Sequence, residues 1–426
     1  MKKMIQRLLS RKVQALIHKH QPRVIAVTGS VGKTSTKGAI AAVLGKKFHV
    51  RTSPENYNNE FGVPLAILGL KSPGRSVFGW LKVLFYTEKD FPDILILEFG
   101  ADRPGDIRSL CDLVLPEVGV VTAISPVHVE FFGTIEALAD EKAELVRRIP
   151  GGGLVVLNAD DDRVIVMRDQ TKTNVLTYGT RPADIRGSEY TLTTREDFSF
   201  EPEEIFSSIA FCVHVDEEER KIVMKDMLGR QQMSAILAAI TVGKYFGLSL
   251  EEIEENLKDY QLPPGRLKPI PGIKGCLILD DSYNAAPASM AAALTVLQDF
   301  HPVEHARRIA VLSDMAELGN YSQDEHRRLG FQVAAANVDL LICVGEKARD
   351  ICRGAAEAGI EAEKLFEFSN IEEAGRWLDR NVHKGDIVLV KGSQGMRMEK
   401  IVKEIMAEPL RASELLVRQY GKWLET

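Results

Sequence analysis

A run of small, hydroxylic and basic residues from Thr28 to Lys37, TGSVGKTSTK, has the types and order needed to hold a polyphosphate. Gly29 and Gly32 let the backbone turn its N–H groups inward past Ser30 and Val31. Lys33 can reach β- and γ-phosphates, Thr34 can ligate Mg²⁺, and Ser35 sits in the first turn of a following helix whose dipole adds positive charge. Val27 stands where the common G-x-x-x-x-G-K-[ST] pattern has its first glycine. Thr28, Gly29, Ser30, Val31, Gly32, Lys33, Thr34 and Ser35 are therefore the candidate nucleotide cradle. Glu98 ends the apolar run Ile94–Leu97, where a lone carboxylate is costly unless it faces a cation or water. It is a Mg²⁺ candidate beside Thr34. His128 and Lys142 follow a later apolar run, and position alone leaves them open between surface, core and ligand.

These groups need strands to deliver them. Val24–Val27 before the loop and Ala39–Leu44 after it read as strand, glycine loop and helix. Further strands are expected at Ile94–Leu97, Val118–Thr122, Leu154–Leu157 and Val175–Tyr178, with helices around Thr34–Leu44, Glu136–Arg148 and Ser234–Phe246. Such alternation predicts a largely parallel sheet covered on both faces. Between Asp184 and Lys225 the helical period fades, as in an antiparallel β-insertion. The run Pro263–Gly265 reads as a linker. Alternation then restarts at Leu277–Leu279, Ile309–Leu312, Leu340–Val344, Leu365–Phe368 and Ile387–Val390, which predicts a second, Rossmann-like doubly wound domain. The fold class is thus α/β: a basic helix over 1–22, a P-loop domain over 23–262, a linker at 263–267 and a C-terminal domain over 268–426. DDSYNAAP (Asp280–Pro287), SDMAELG (Ser313–Gly319) and KGSQGMRME (Lys391–Glu399) fall at strand ends, where open α/β sheets bind ligands.

Composition narrows the classes. The 426 residues carry a net charge of −6 and 45% hydrophobic residues, which suits a globular protein and argues against a general nucleic-acid binder. The five cysteines form no C-x-x-C pair and sit in apolar runs, so they read as reduced core thiols, in keeping with a cytoplasmic protein. Residues 1–20 place Ile5, Leu8, Leu9, Val13, Leu16 and Ile17 at helical spacing among lysines and arginines. This helix is too charged to span a bilayer; it can pack on its own domain or touch the inner face of an anionic membrane. The apolar stretch Val77–Tyr86, VFGWLKVLFY, adds to the case for such membrane contact; its alternative reading is a buried or lid-like helix.

The motifs in order carry a resemblance over nearly the whole chain. The P-loop, YNNEFGVP (Tyr57–Pro64), LEFGADRPGDI (Leu97–Ile107), HVEFFGT (His128–Thr134), EKAE (Glu141–Glu144), LNADD (Leu157–Asp161), PPGR (Pro263–Arg266), DDSYNAAP, DMAELG and KGSQGMRME resemble those of the Mur ligases. Among these they are most similar to the branch that joins D-alanyl-D-alanine to a UDP-MurNAc-tripeptide. The resemblance implies an ATP-dependent amide ligase that makes an acyl phosphate on a peptide-type acceptor and passes it to D-Ala-D-Ala or a similar amine. It implies two Mg²⁺ ions, held by Thr34 and Glu98 and by His128 with a carbamylated Lys142. Lys33, Lys142, His128, Arg266 and Lys391 are the implied catalytic residues. Arg266, Asp281 and Asn284 join the nucleotide contacts, and Asn58, Asn59 and Glu60 those of the acceptor. Arg266 and Lys391 are expected to reach the phosphates only when the domains close.

Two departures accompany the resemblance. Only about 23 residues precede the P-loop strand, too few for the domain that holds uridine in that branch, so a lipid-linked or other acceptor is an alternative. The family's G-x-H-N segment reads Gly229-Arg230-Gln231-Gln232, with Ala235 replacing a further Asn, which affects contacts around the nucleotide base. Alternative readings are a related ligase acting on another carboxylate, as folylpolyglutamate, poly-γ-glutamate or cyanophycin synthetases do, and a non-catalytic ATP-dependent module.

Overall fold

The apolar runs become strands of two sheets in the computed structural model, which describes residues 2–54, 57–74, 76–88, 90–126, 129–194, 207–302, 305–420 and 423. β1 (Arg23–Thr28), β2 (Val50–Thr52), β3 (Ile94–Glu98), β4 (Val118–Val121), β5 (Leu154–Asn158), β6 (Asn174–Gly179), β7 (Ile185–Thr194), β8 (Ser207–Val215) and β9 (Glu218–Lys225) form the first sheet, in the order β2-β3-β1-β4-β5-β6-β7-β8-β9. Pairing is parallel from β2 to β7 and antiparallel from β7 to β9, so the expected insertion is the far edge of the sheet. β3, β4 and β5 are buried along their whole length, as strands covered on both faces must be. Along β1 alternate residues serve opposite cores. Ile25 and Val27 pack with the helices Lys33–Gly45 and Arg230–Tyr245, whereas Val24 and Ala26 pack with Leu9, Leu97 and Leu145.

The second sheet contains β10 (Lys268–Pro271), β11 (Leu277–Asp281), β12 (Arg308–Ser313), β13 (Leu340–Val344), β14 (Leu365–Phe368) and β15 (Ile387–Lys391), in the order β10-β11-β15-β12-β13-β14. All pairs are parallel except β10 with β11. Two strands escape the sequence pattern. β2 has only three half-buried residues, and β10 holds Pro269 and Pro271, which cannot donate to a ladder and so suit an edge. The helix expected from Ser234 starts at Arg230.

The N-terminal helix Lys2–His20 buries Leu9 and Val13 in the first domain and packs on the helices Gly62–Ile67, Val77–Phe85 and Asp106–Leu113. Helix Val77–Phe85 is neither wholly buried nor a lid over the loop: Val83 faces inward while Phe78 and Phe85 are 80% and 82% exposed. Among the described residues no helix is long and apolar enough to cross a membrane. All five cysteines are buried free thiols.

Candidate active site

β1 delivers Thr28, whose hydroxyl donates to the Phe99 carbonyl at 2.8 Å and ties the loop's start to the end of β3. Gly29 and Gly32 have positive φ, and a Cβ on Gly29 would lie 2.0 Å from Thr122 Oγ1. That hydroxyl sits under the loop and donates to the Val31 carbonyl at 2.6 Å. Helix Lys33–Gly45 starts at Gly32 with no side-chain cap, so its first N–H groups are available to an anion. The Ser30 N–H donates to the Ala123 carbonyl at 2.7 Å, while Ser30 Oγ is buried without a partner. Ser35 is held from behind by the Tyr260 hydroxyl, which donates to its carbonyl at 3.0 Å. Lys33 Nζ rests on the Gly29 and Ser30 carbonyls at 2.9 and 3.3 Å, so a rotamer change frees it for a phosphate.

Thr34 Oγ1 donates to Glu98 Oε2 at 3.1 Å. Lys37 Nζ lies 3.7 Å from the same oxygen and donates to the Ser53 carbonyl at 2.5 Å, while Ser53 Oγ accepts the Glu98 N–H at 3.2 Å. Burial pushes the Glu98 carboxyl up, but the Lys33, Lys37 and Arg266 charges and the Thr34 hydroxyl outweigh it and hold the group below the usual carboxylate range. Glu98 is therefore ionised at neutral pH. A hydroxyl and an ionised carboxylate with oxygens 3.1 Å apart fit Mg²⁺, whose adjacent octahedral ligands at ~2.1 Å lie ~3 Å from one another.

Lys142 is buried on helix Ile135–Arg148. Burial, then the Lys33 charge, pushes its ammonium down to about 7, against the opposing pull of Glu141, Asp102 and Glu98. The Glu141 carboxylate is engaged elsewhere, accepting the Gly105 and Ile107 N–H groups at 2.7 and 2.8 Å. His128 lies outside the described residues. Among those described, no three His, Cys, Asp or Glu side chains gather as a metal cluster.

The second domain reaches this loop through Arg266. Its guanidinium donates to Thr34 Oγ1 at 3.1 Å and lies 3.8 Å from the centre of the Tyr283 ring, and Arg266 Nε is buried without a partner. In this arrangement of the chain Arg266 touches the P-loop directly. Lys391 lies deeper: it pairs with Asp281 at 2.6 Å and donates to the Asn284 carbonyl at 2.9 Å, as the neighbouring register of β11 and β15 requires. Burial lowers the Lys391 pKa despite that partner. Asn284 Oδ1 accepts the Ala285 N–H, and Arg418 braces the same turn by donating to the Ser282 and Tyr283 carbonyls.

The turn Asn58–Glu60 flanks the end of β3. The Asn58 carbonyl accepts the Gly100 N–H at 2.8 Å, Asn59 Oδ1 caps the Phe61 and Gly62 N–H groups, and Glu60 is exposed. A cleft of about 310 Å³ lies beside the start of helix Arg230–Tyr245, between Asp160, Thr180, Arg230 and Ser234. Gln232, one of the departures from the family pattern, turns towards the linker and donates to the Arg266 carbonyl at 3.5 Å, leaving its Oε1 buried without a partner.

Sequence reading overlooked Thr122, Lys37 and Tyr283. Lys37 had a usable signal, since it stands four residues after Lys33 and so on the same side of the helix. Tyr283 lies within DDSYNAAP and Thr122 closes an expected strand, but their contacts with Arg266 and the loop arise only from the packing of strand ends.

Comparison with known proteins follows the same division. The family model for the Mur ligase middle domain matches residues 27–243, and that for the Mur ligase, glutamate ligase domain matches residues 265–394. The chain is similar to the UDP-N-acetylmuramoyl-tripeptide--D-alanyl-D-alanine ligase of Bacillus subtilis (strain 168), at 27% identity over 410 residues, covering 94% of this chain and 80% of that protein. The enzyme of the same name from Mycobacterium leprae (strain TN) is 31% identical over 402 residues, covering 90% and 74%. The solved MurF ligase from Thermotoga maritima, in complex with ADP, matches with a TM-score of 0.76 at 25% identity, covering 94% of this chain and 83% of that one.

Proposed function

Because this chain belongs to the Mur ligase family, we propose that it is an ATP-dependent, ADP-forming amide ligase of the cytoplasm that adds D-alanyl-D-alanine to a UDP-MurNAc-tripeptide. The observation that carries the reading is the meeting of both domains on one hydroxyl, where Thr34 receives Arg266 and gives to Glu98.

Each residue then has a task. The loop N–H groups and Lys33 bind the β- and γ-phosphates, and Arg266 turns its fork to the γ-phosphate from the other side. The acceptor carboxylate, guided by Asn58, Asn59 and Glu60, attacks the γ-phosphorus, and the bond to the ADP oxygen breaks. The amine of the dipeptide then attacks the carbonyl carbon of the acyl phosphate. An amide forms, the amine loses a proton, and phosphate leaves with one former carboxylate oxygen. Mg²⁺ on Thr34 and Glu98 would supply charge neutralisation across the phosphates. Lys142, with its lowered pKa, offers a neutral amine that could take up CO₂ with loss of a proton, and the resulting carbamate, together with His128, would hold a second Mg²⁺. Lys391 and Asp281 set the second domain's face against the nucleotide with Asn284.

ADP release with ATP, Mg²⁺ and D-Ala-D-Ala tests the reading, using UDP-MurNAc-tripeptide and its lipid-linked counterpart as acceptors. ADP and amide should form one for one with the UDP-linked acceptor. Turnover on the lipid-linked acceptor alone would move the assignment to that substrate, and no amide with either would overturn it.

A further inference from the structure

The N-terminal helix and helix Val77–Phe85 together leave an outward surface that the ligase reaction does not use. On helix Val77–Phe85, Phe78, Leu81 and Phe85 fall at i, i+3 and i+7 and are 80%, 44% and 82% exposed. The helix is nonetheless well anchored. Ser76 caps it, accepting the Gly79 N–H at 3.0 Å, Val83 is buried, and Trp80 donates to the Gly74 carbonyl at 3.1 Å. Trp80 also packs edge-on against Phe61, with ring centres 6.0 Å apart.

Lys12 joins the two helices by donating to the carbonyls of Val83, Leu84 and Tyr86. Met4 and Leu8 stand two turns and one turn before Lys12 on the same stripe, and both are exposed, so they extend the apolar face. The two segments that build it are basic, with Glu60 and Glu88 just outside the second of them and Glu88 paired with Arg51 at 2.9 Å. Residues 1–22 carry six Lys and Arg, residues 61–87 carry three, and neither stretch has an Asp or Glu, in a chain whose net charge is −6.

We propose that this face docks on the surface of an anionic lipid bilayer, with Phe78 and Phe85 entering the headgroup layer and Lys3, Arg7, Arg11 and Lys82 meeting acidic headgroups. A second copy of the chain would set these positive charges against themselves. The two phenylalanines stand exposed on one anchored helix, which suits a fluid layer better than a rigid partner. The basic rim supplies an attraction that an anionic surface rewards and a neutral one does not. Through Trp80 and Phe61 the docked helix adjoins the turn Asn58–Glu60, so docking would bring the acceptor side of the ligase to the membrane.

Sedimentation of the full-length protein with vesicles tests this, using phosphatidylcholine alone and phosphatidylcholine mixed with phosphatidylglycerol. Binding should require the anionic lipid and fall away at about 1 M salt, where the Debye length is ~3 Å. Phe78→Ser with Phe85→Ser should lower the partition coefficient at least about tenfold, and Arg7→Glu with Arg11→Glu should lower it about as much. ATP turnover on a soluble acceptor should be unchanged in both. Should the serine pair misfold, Phe78→Trp and Phe85→Trp replace it, and their emission should shift to the blue on anionic vesicles. Equal binding to neutral vesicles, unchanged binding of a folded serine pair, or no shift in the tryptophan variants would overturn the proposal. So would light scattering that showed a dimer broken by the serine pair without any lipid binding.

Discussion

Arg266→Ala should damage the chemical step far more than it weakens ATP. In the structure this guanidinium makes a hydrogen bond of 3.1 Å to Thr34 and a ring contact of 3.8 Å to Tyr283. The first is worth roughly 1.5–3 kcal/mol and the second about 0.5–2 kcal/mol, and together they pin the second domain to the P-loop. When the γ-phosphate takes the place of the Thr34 hydroxyl as acceptor, the same fork faces charge that develops only during transfer. Removing one such donor costs on the order of 10²–10³ in kcat. ATP affinity should fall less than about tenfold, because Lys33 and the loop N–H groups remain. Arg266→Lys keeps the charge but loses the planar fork and the stack, so it should recover only part of the rate. The assay is kcat from ADP release beside the ATP Kd from calorimetry. A Kd raised a hundredfold with unchanged kcat, or a fully active Arg266→Lys, would refute the reasoning.

Lys142→Ala should lose most activity and regain part of it with formate or acetate, because the missing group acts as a carboxylate; Lys33→Ala should gain nothing from the same additives. Gly29→Ala should abolish ATP binding measured by calorimetry, since its Cβ would meet Thr122 Oγ1 at 2.0 Å in a backbone conformation that alanine avoids. Asp280 is fully buried, and burial pushes its carboxyl up to about 6 from 3.8. Between pH 4 and pH 6 the folded chain keeps a proton there that the unfolded chain releases, so this site adds stability as pH falls through 6 and costs up to about 3 kcal/mol above it. Asp280→Asn should therefore raise the Tm at pH 7–8, and the gain should shrink below pH 6; an equal gain at all pH values would contradict this.

The P-loop and the strands that feed it were readable because β1 and β3 are apolar runs ending in Thr28 and Glu98 and β4 is apolar throughout, a pattern a doubly covered sheet explains. The order of the motifs pointed to both domains, since several of them, the P-loop, DDSYNAAP, SDMAELG and KGSQGMRME, sit at strand ends. β2 and β10 were invisible: three half-buried residues in one case and two prolines in the other carry no period. Helix Val77–Phe85 was misjudged for a different reason. Nearly every residue in it is apolar, so the sequence does not say which stripe faces the core, and the exposure of Phe78 and Phe85 emerges only once Val83 and Trp80 are packed. The contact from Arg266 to Thr34 spans two domains and depends on the linker turn, where Gly265 takes a φ of 68° and its carbonyl accepts the Tyr283 N–H.

Transfer of oxygen from acceptor to phosphate is the most direct measure of the acyl-phosphate ligase reading. With the acceptor's terminal carboxylate labelled with heavy oxygen, ATP, Mg²⁺ and D-Ala-D-Ala should yield inorganic phosphate that carries one labelled oxygen for each amide formed. Unlabelled phosphate accompanying the amide, or ADP released at the same rate without the acceptor, would contradict it.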